Sequence, residues 1–143
     1  MRKQAVCFCV FFSLLFCGCT PKAYSACINH PIDEIASVEL LNTQNASETI
    51  LYTLAEEEIS LFMDRLLEIK FYKCFNDPPT KFGILAIRIT YNDGFYDIIG
   101  TEINGYYDAS GNPLSAGWFS AVDKSDFVTL FSYYCNTEGV PST

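Results

Sequence analysis

Seven cysteines, one histidine and seventeen carboxylates are the side chains best suited to chemistry here. Their spacing decides how much they can do together. His30 follows Cys27 by three residues, a spacing that zinc sites use, but Cys74 and Cys135 are isolated by long intervals and complete no ligand set. A single histidine also leaves no second imidazole to act as a base. In Asn29-His30-Pro31 it is expected as a solvent-facing loop residue. Asp93 with Asp97, and Glu102 with Asp108, are carboxylate pairs of the kind an acid/base dyad needs. Asp108, Ser110 and Asn112 alternate like the oxygen donors of a calcium loop, without the later bidentate glutamate. No serine stands in a glycine-flanked nucleophile turn, and no glycine loop could cradle a phosphate. These patterns assign no catalytic, cofactor-binding or metal-binding residue.

Aromatic side chains are the more informative class. Tyr106, Tyr107, Trp118 and Phe119, with Tyr133 and Tyr134 nearby, crowd the last third of the chain. A strand must point some of them away from the core, and exposed aromatics in a groove or on a sheet face mark binding patches. Tyr106, Tyr107, Trp118 and Phe119 are therefore the candidate patch, with filling of the sheet–helix interface as the alternative.

The N-terminus carries an address. Met1-Arg2-Lys3 precedes an apolar run from Ala5 to Phe16, the charged and apolar regions of an export signal. The run is shorter than the roughly 20 apolar residues that span a bilayer. Phe16-Cys17-Gly18-Cys19 resembles the lipobox of bacterial lipoproteins, in which a small residue precedes the cysteine that receives the lipid. Gly18 and Cys19 match, whereas Phe16 stands in place of the usual Leu and Cys17 in place of a small residue. The resemblance implies a signal peptide over 1–18, a diacylglyceryl and palmitoyl anchor on Cys19, and a membrane partner reached through that lipid. Plain secretion, cut after Ser25, is the alternative. A tether is expected over 19–32, one domain over 33–136 and a flexible tail over 137–143.

Composition bounds the rest. Loss of Arg2 and Lys3 with the signal takes the formal charge from −8 to −10, which opposes nucleic acid as a partner. Frequent Tyr and Phe oppose disorder. Once Cys7, Cys9, Cys17 and Cys19 are assigned to the signal or its cut, Cys27, Cys74 and Cys135 remain. They allow one disulfide at most.

The elements that must position these groups read as follows. Alternation over Ile35–Leu41 and again over Glu48–Thr53, with Ile50 and Tyr52 on one side, predicts a hairpin. Thr53 and Glu56 stand in capping-box spacing ahead of a helix whose stripe is Ile59, Phe62, Met63, Leu66 and Leu67. Leu85, Ile87, Ile89 and Tyr91 alternate up to the Asn92-Asp93-Gly94 turn, and Phe95–Thr101 returns antiparallel. Asn104–Tyr107 and Gly117–Val122 add strands. Asp123 caps a final helix with Phe127, Leu130, Phe131 and Tyr134 on one face.

The order predicts an α+β, two-layer domain: a mainly antiparallel sheet of about five strands with two helices on one face. Beyond the signal, its hairpin, acidic helix and Gly-Trp-Phe strand loosely resemble the small uncharacterised lipoproteins of Gram-positive bacteria. The resemblance implies no activity. The function expected is a non-catalytic extracytoplasmic module that binds a protein or small-molecule ligand. An inhibitor or immunity-type protein using the acidic loop 108–113 is the alternative, and a carboxylate-dependent enzyme the third. Mass spectrometry of membrane-fraction protein should find a diacylglyceryl group on Cys19; a soluble product beginning at Ala26 would overturn the anchor.

Overall fold

Residues 85–91 show how alternation becomes architecture. Leu85, Ile87, Ile89 and Tyr91 enter the main core, while Ala86, between them, joins a separate small cluster on the far side of the sheet. The computed structural model describes residues 22–44, 48–73 and 82–135. In chain order it contains β1 (Ala23–Ser25), β2 (Ile35–Asn42), β3 (Thr49–Thr53), α1 (Glu56–Glu68), β4 (Lys70–Lys73), β5 (Leu85–Tyr91), β6 (Tyr96–Gly100), β7 (Ile103–Tyr107), β8 (Pro113–Ala121) and α2 (Lys124–Tyr134). The strands form one antiparallel sheet in the order β1-β4-β8-β7-β6-β5-β2-β3.

The α+β class follows the expectation, but the expected count of about five strands is corrected to eight. β1 and β4 are three and four residues long, too short to show a period of two. β1 also lies in the stretch read as a tether, where it pairs with β4 at the sheet edge.

Phe62, Met63 and Leu66 of α1 share a single core with Phe127, Leu130 and Phe131 of α2 and with Val38, Leu40, Ile87, Ile89 and Ile99 of the sheet. Both helices therefore cover the same face, hereafter the near face. The far face carries a smaller cluster of Leu41, Ala86 and Ile98, flanked by Phe82, Tyr96 and Tyr107. There Arg88 reaches Glu39 at 3.1 Å and also binds Glu48. No helix among the described residues is long and apolar enough to cross a membrane.

Two local expectations shift. Thr53 stays in β3, paired with Glu39, so only the glutamate half of a capping box forms, two residues later at Ala55. Glu58 accepts from the backbone N–H of Ala55 at 2.8 Å, and Tyr52 donates its hydroxyl to the same carboxylate. The β2–β3 pairing slips between Leu40 and Leu41. Such a bulge breaks strict alternation: Leu51 packs with Tyr52 against the near-face core, and Ile50 is left 52 % exposed.

The remaining signals hold. Gly94 takes φ +86° in the Asn92-Asp93-Gly94 turn, and Asp123 caps α2 by accepting from Ser125 N–H at 2.8 Å. That hydrogen bonding with Ser125 holds the Asp123 carboxyl below its usual range. A carboxyl depressed by folding adds stability above its unfolded pKa of about 3.9 and loses it as pH falls through the folded value. Thermal melts of Asp123→Ala should therefore lie below wild type near neutral pH, with the gap closing as the pH falls through the depressed folded value. A gap independent of pH would discard the ionised cap.

Candidate functional site

The helices leave part of the near face to other cover. Across β6, β7 and β8 the near-face positions are Asp97, Asn104 with Tyr106, and Ser115, Gly117 and Phe119, as cross-strand pairing of Asp97 with Tyr106, of Tyr106 with Ser115 and of Asn104 with Gly117 requires. The segment from Ala26 to Glu34 packs over this polar quarter.

Asp97 holds the segment down. It is 1 % exposed. Its Oδ2 accepts from Asn29 N–H at 2.9 Å, its Oδ1 from Asn29 Nδ2 at 2.7 Å, and the Tyr91 hydroxyl donates to Oδ2 as well. Three donors on two oxygens satisfy a buried carboxylate that would otherwise be costly. Burial, and then the bond to Asp97, push the Tyr91 phenol far above its usual pKa, so it stays a donor.

His30 lies on this network, which corrects the solvent-facing placement. Its ring stacks on Tyr91 at 4.2 Å between centroids, and its side chain is 18 % exposed. Nδ1 lies 3.0 Å from Glu34 Oε2, and Nε2 lies 2.7 Å from the Tyr106 hydroxyl. In a neutral ring, Nδ1–H donating to Glu34 leaves Nε2 to accept from Tyr106. Carboxylate, imidazole and hydroxyl thus line up in the order of a catalytic relay. Yet desolvation, then the charges of Asp93 and Asp97, raise the Tyr106 phenol above its ordinary pKa. The hydroxyl is thereby held as the donor to Nε2.

Between the segment and the sheet lies a cleft of about 240 Å³, lined among others by Cys27, Asn29, Asn104, Tyr106, Gly117 and Phe119. Asn104 is 7 % exposed, and neither end of its side-chain amide has a hydrogen-bond partner. Buried amides are nearly always paired, so this one stands out. A larger concavity of about 410 Å³ between α1 and α2 is lined by Arg65, Glu68 and Tyr133 among others. Its Arg65 guanidinium is already laid over the Tyr133 ring at 3.8 Å.

The four candidate aromatics do not form one patch. Tyr106 and Phe119 face the cleft. Tyr107 and Trp118 are on the far face, because neighbours along a strand point opposite ways. There Tyr107 stacks on Tyr96 with centroids 5.0 Å apart and an interplanar angle of 9°. Cys19 lies outside the described residues, as does Cys74. Cys27 and Cys135 are free thiols.

The carboxylate pairs are likewise separated by their partners. Asp93 lies 3.9 Å from His30, whereas Asp97 holds Asn29 and Tyr91. Glu102 binds Lys124 at 2.8 Å. Asp108 accepts from Ser110 N–H, Asn112 N–H and Asn112 Nδ2, which closes its own turn. Among the described residues no three His, Cys, Asp or Glu side chains converge as a metal site.

Sequence reasoning missed Asn29 and Asn104. The available signal was a polar residue at an inward position of an otherwise apolar strand, as at Asp97 within Tyr96–Gly100. No family model matches the chain, and no curated protein or solved structure is similar enough to match it.

Urea unfolding tests the clamp. Asp97→Ala strands three donors and should cost about 3 kcal/mol, while Tyr91→Phe removes one bond and should cost about 1 kcal/mol. Equal losses would deny Asp97 its place as the node.

Proposed function

We propose that this chain is an extracytoplasmic lipoprotein, anchored through Cys19, whose folded domain is a non-catalytic binding module with its ligand site in the cleft between residues 26–34 and strands β6–β8. The anchor rests on the apolar run and Gly18-Cys19. The net charge of −10 left after the signal is removed speaks for a partner other than nucleic acid.

One observation carries the site. Asn104 sits in the cleft with both ends of its amide unpaired, an arrangement that costs about 1–3 kcal/mol per stranded group. A ligand that pairs the amide recovers that cost on binding. The surroundings suit a fixed receptor: β7 is held between β6 and β8, and the roof is pinned by Asn29 and His30. Tyr106 is held by His30 in a geometry that orients its ring, with its phenol kept protonated.

Cys27 supplies the readout because it is exposed and lines the cleft. The full chain, purified in detergent micelles, is treated with a maleimide in the presence of a panel of small neutral, acidic and basic solutes, and labelling at Cys27 is followed by peptide mass spectrometry. At least one solute should slow labelling at Cys27 and leave Cys135 labelling unchanged. Gly117→Val should abolish that protection, since the added side chain would itself occupy the floor of the cleft beside Asn104, where even a Cβ would stand 2.5 Å from Phe119 Cε2. A panel without any protecting solute would overturn the cleft as the site.

A further inference from the structure

We propose that the cleft takes a small, neutral, planar ligand presenting a hydrogen-bond donor and an acceptor side by side on one edge, the chemistry shared by a primary carboxamide and a nucleobase. This rests on the reading of the cleft as a ligand site. The two ends of the Asn104 amide are one acceptor and one donor in a single plane, and both are shielded from water without a partner. An edge with adjacent donor and acceptor satisfies both at once, as an asparagine pairs with the edge of adenine. An ordinary trans secondary amide points its N–H and C=O in opposite directions and would leave one end unpaired.

Charge narrows the class. Among the described residues no lysine or arginine lines the cleft, so a carboxylate or phosphate would enter without a counter-charge. Asp97, the one buried carboxylate among the described residues, already accepts from Asn29 and Tyr91, and so offers a cation little. A neutral ligand remains.

Planarity comes from the strand geometry. Tyr106 stands two residues along β7 from Asn104, on the same face. Phe119 stands two residues along β8 from Gly117, the cross-strand partner of Asn104. A flat ring seated at Asn104 therefore has an aromatic side chain on either side. Gly117 makes the entry. The Phe119 ring lies over it so closely that a Cβ would collide, and lifting the half-buried ring opens the space beside the Asn104 amide. A cleft of about 240 Å³ holds one or two fused rings, not a polymer.

The test uses the full chain in detergent micelles, with nicotinamide, adenine and nicotinate as probes. Binding is read from the Asn104 side-chain N–H resonances and from the rate of Cys27 labelling. Nicotinamide, adenine or both should shift the resonances saturably and slow labelling, with nicotinate at least about tenfold weaker. Binding of nicotinamide alone would identify the carboxamide as the source, and binding of adenine alone the nucleobase. Asn104→Leu removes the amide at similar volume and should melt no lower than wild type while binding about tenfold or more weaker. Should that variant fail to fold, Asn104→Ala carries the same expectation for binding. Nicotinate binding as well as nicotinamide, or unchanged binding by a folded Asn104 variant, would overturn the donor–acceptor edge. If neither planar probe binds while other solutes still protect Cys27, the ligand class falls and the cleft stands; if nothing protects Cys27, both fall.

Discussion

A buried carboxylate organises the part of this protein that the helices do not reach. Asp97 points from β6 into the near face, where its oxygens would be unsatisfied beneath apolar cover. Asn29 answers with two N–H donors and Tyr91 with a hydroxyl. That requirement draws the segment preceding β2 across β6, β7 and β8 and gives His30 a ring to stack on. The roof is held by these bonds together with Ala26 and Ile28, which pack into the main core.

The two halves of the near face therefore obey different rules. Under the helices, Phe62, Leu66, Phe127 and Phe131 meet Val38, Leu40 and Ile87 in a closed apolar core, and stability comes from area removed from water. Under the 26–34 segment, directed bonds from Asn29 and His30 add to the apolar contacts of Ala26 and Ile28, and the Asn104 amide finds no bond. Directed bonding fixes positions. Gly117 belongs to the same logic: without a side chain it leaves room for Phe119 to lie flat.

Much of the frame was legible in the chain. The period of two in Leu85–Tyr91 and the turn at Asn92-Asp93-Gly94 led to the hairpin at the heart of the sheet, and the stripe Ile59, Phe62, Met63, Leu66 led to α1, because these signals depend on neighbours within a few residues. Asp123 was legible as a cap for the same reason. β1 and β4 were not, being too short for periodicity and held only by pairing with distant strands. The helix start moved from Thr53 to Ala55, where only Glu58 supplies a side-chain cap bond, because Thr53 was claimed by its β2 partner. Of the four aromatics expected as one patch, Tyr106 and Phe119 face the cleft, and their chain neighbours Tyr107 and Trp118 lie on the other side of the sheet.

The sequence by itself determined the α+β class, the main hairpins, both helices with their buried faces, and the acidic charge, all of which follow from local periodicity and counting. Only the tertiary structure decided that His30 and Asn29 fold back onto Asp97 and Tyr106, residues 68 and 76 positions away, and that Asn104 is left unpaired beside Gly117. Contacts at such separation leave no periodic trace, because they are set by which strands become neighbours and by what covers the face they share.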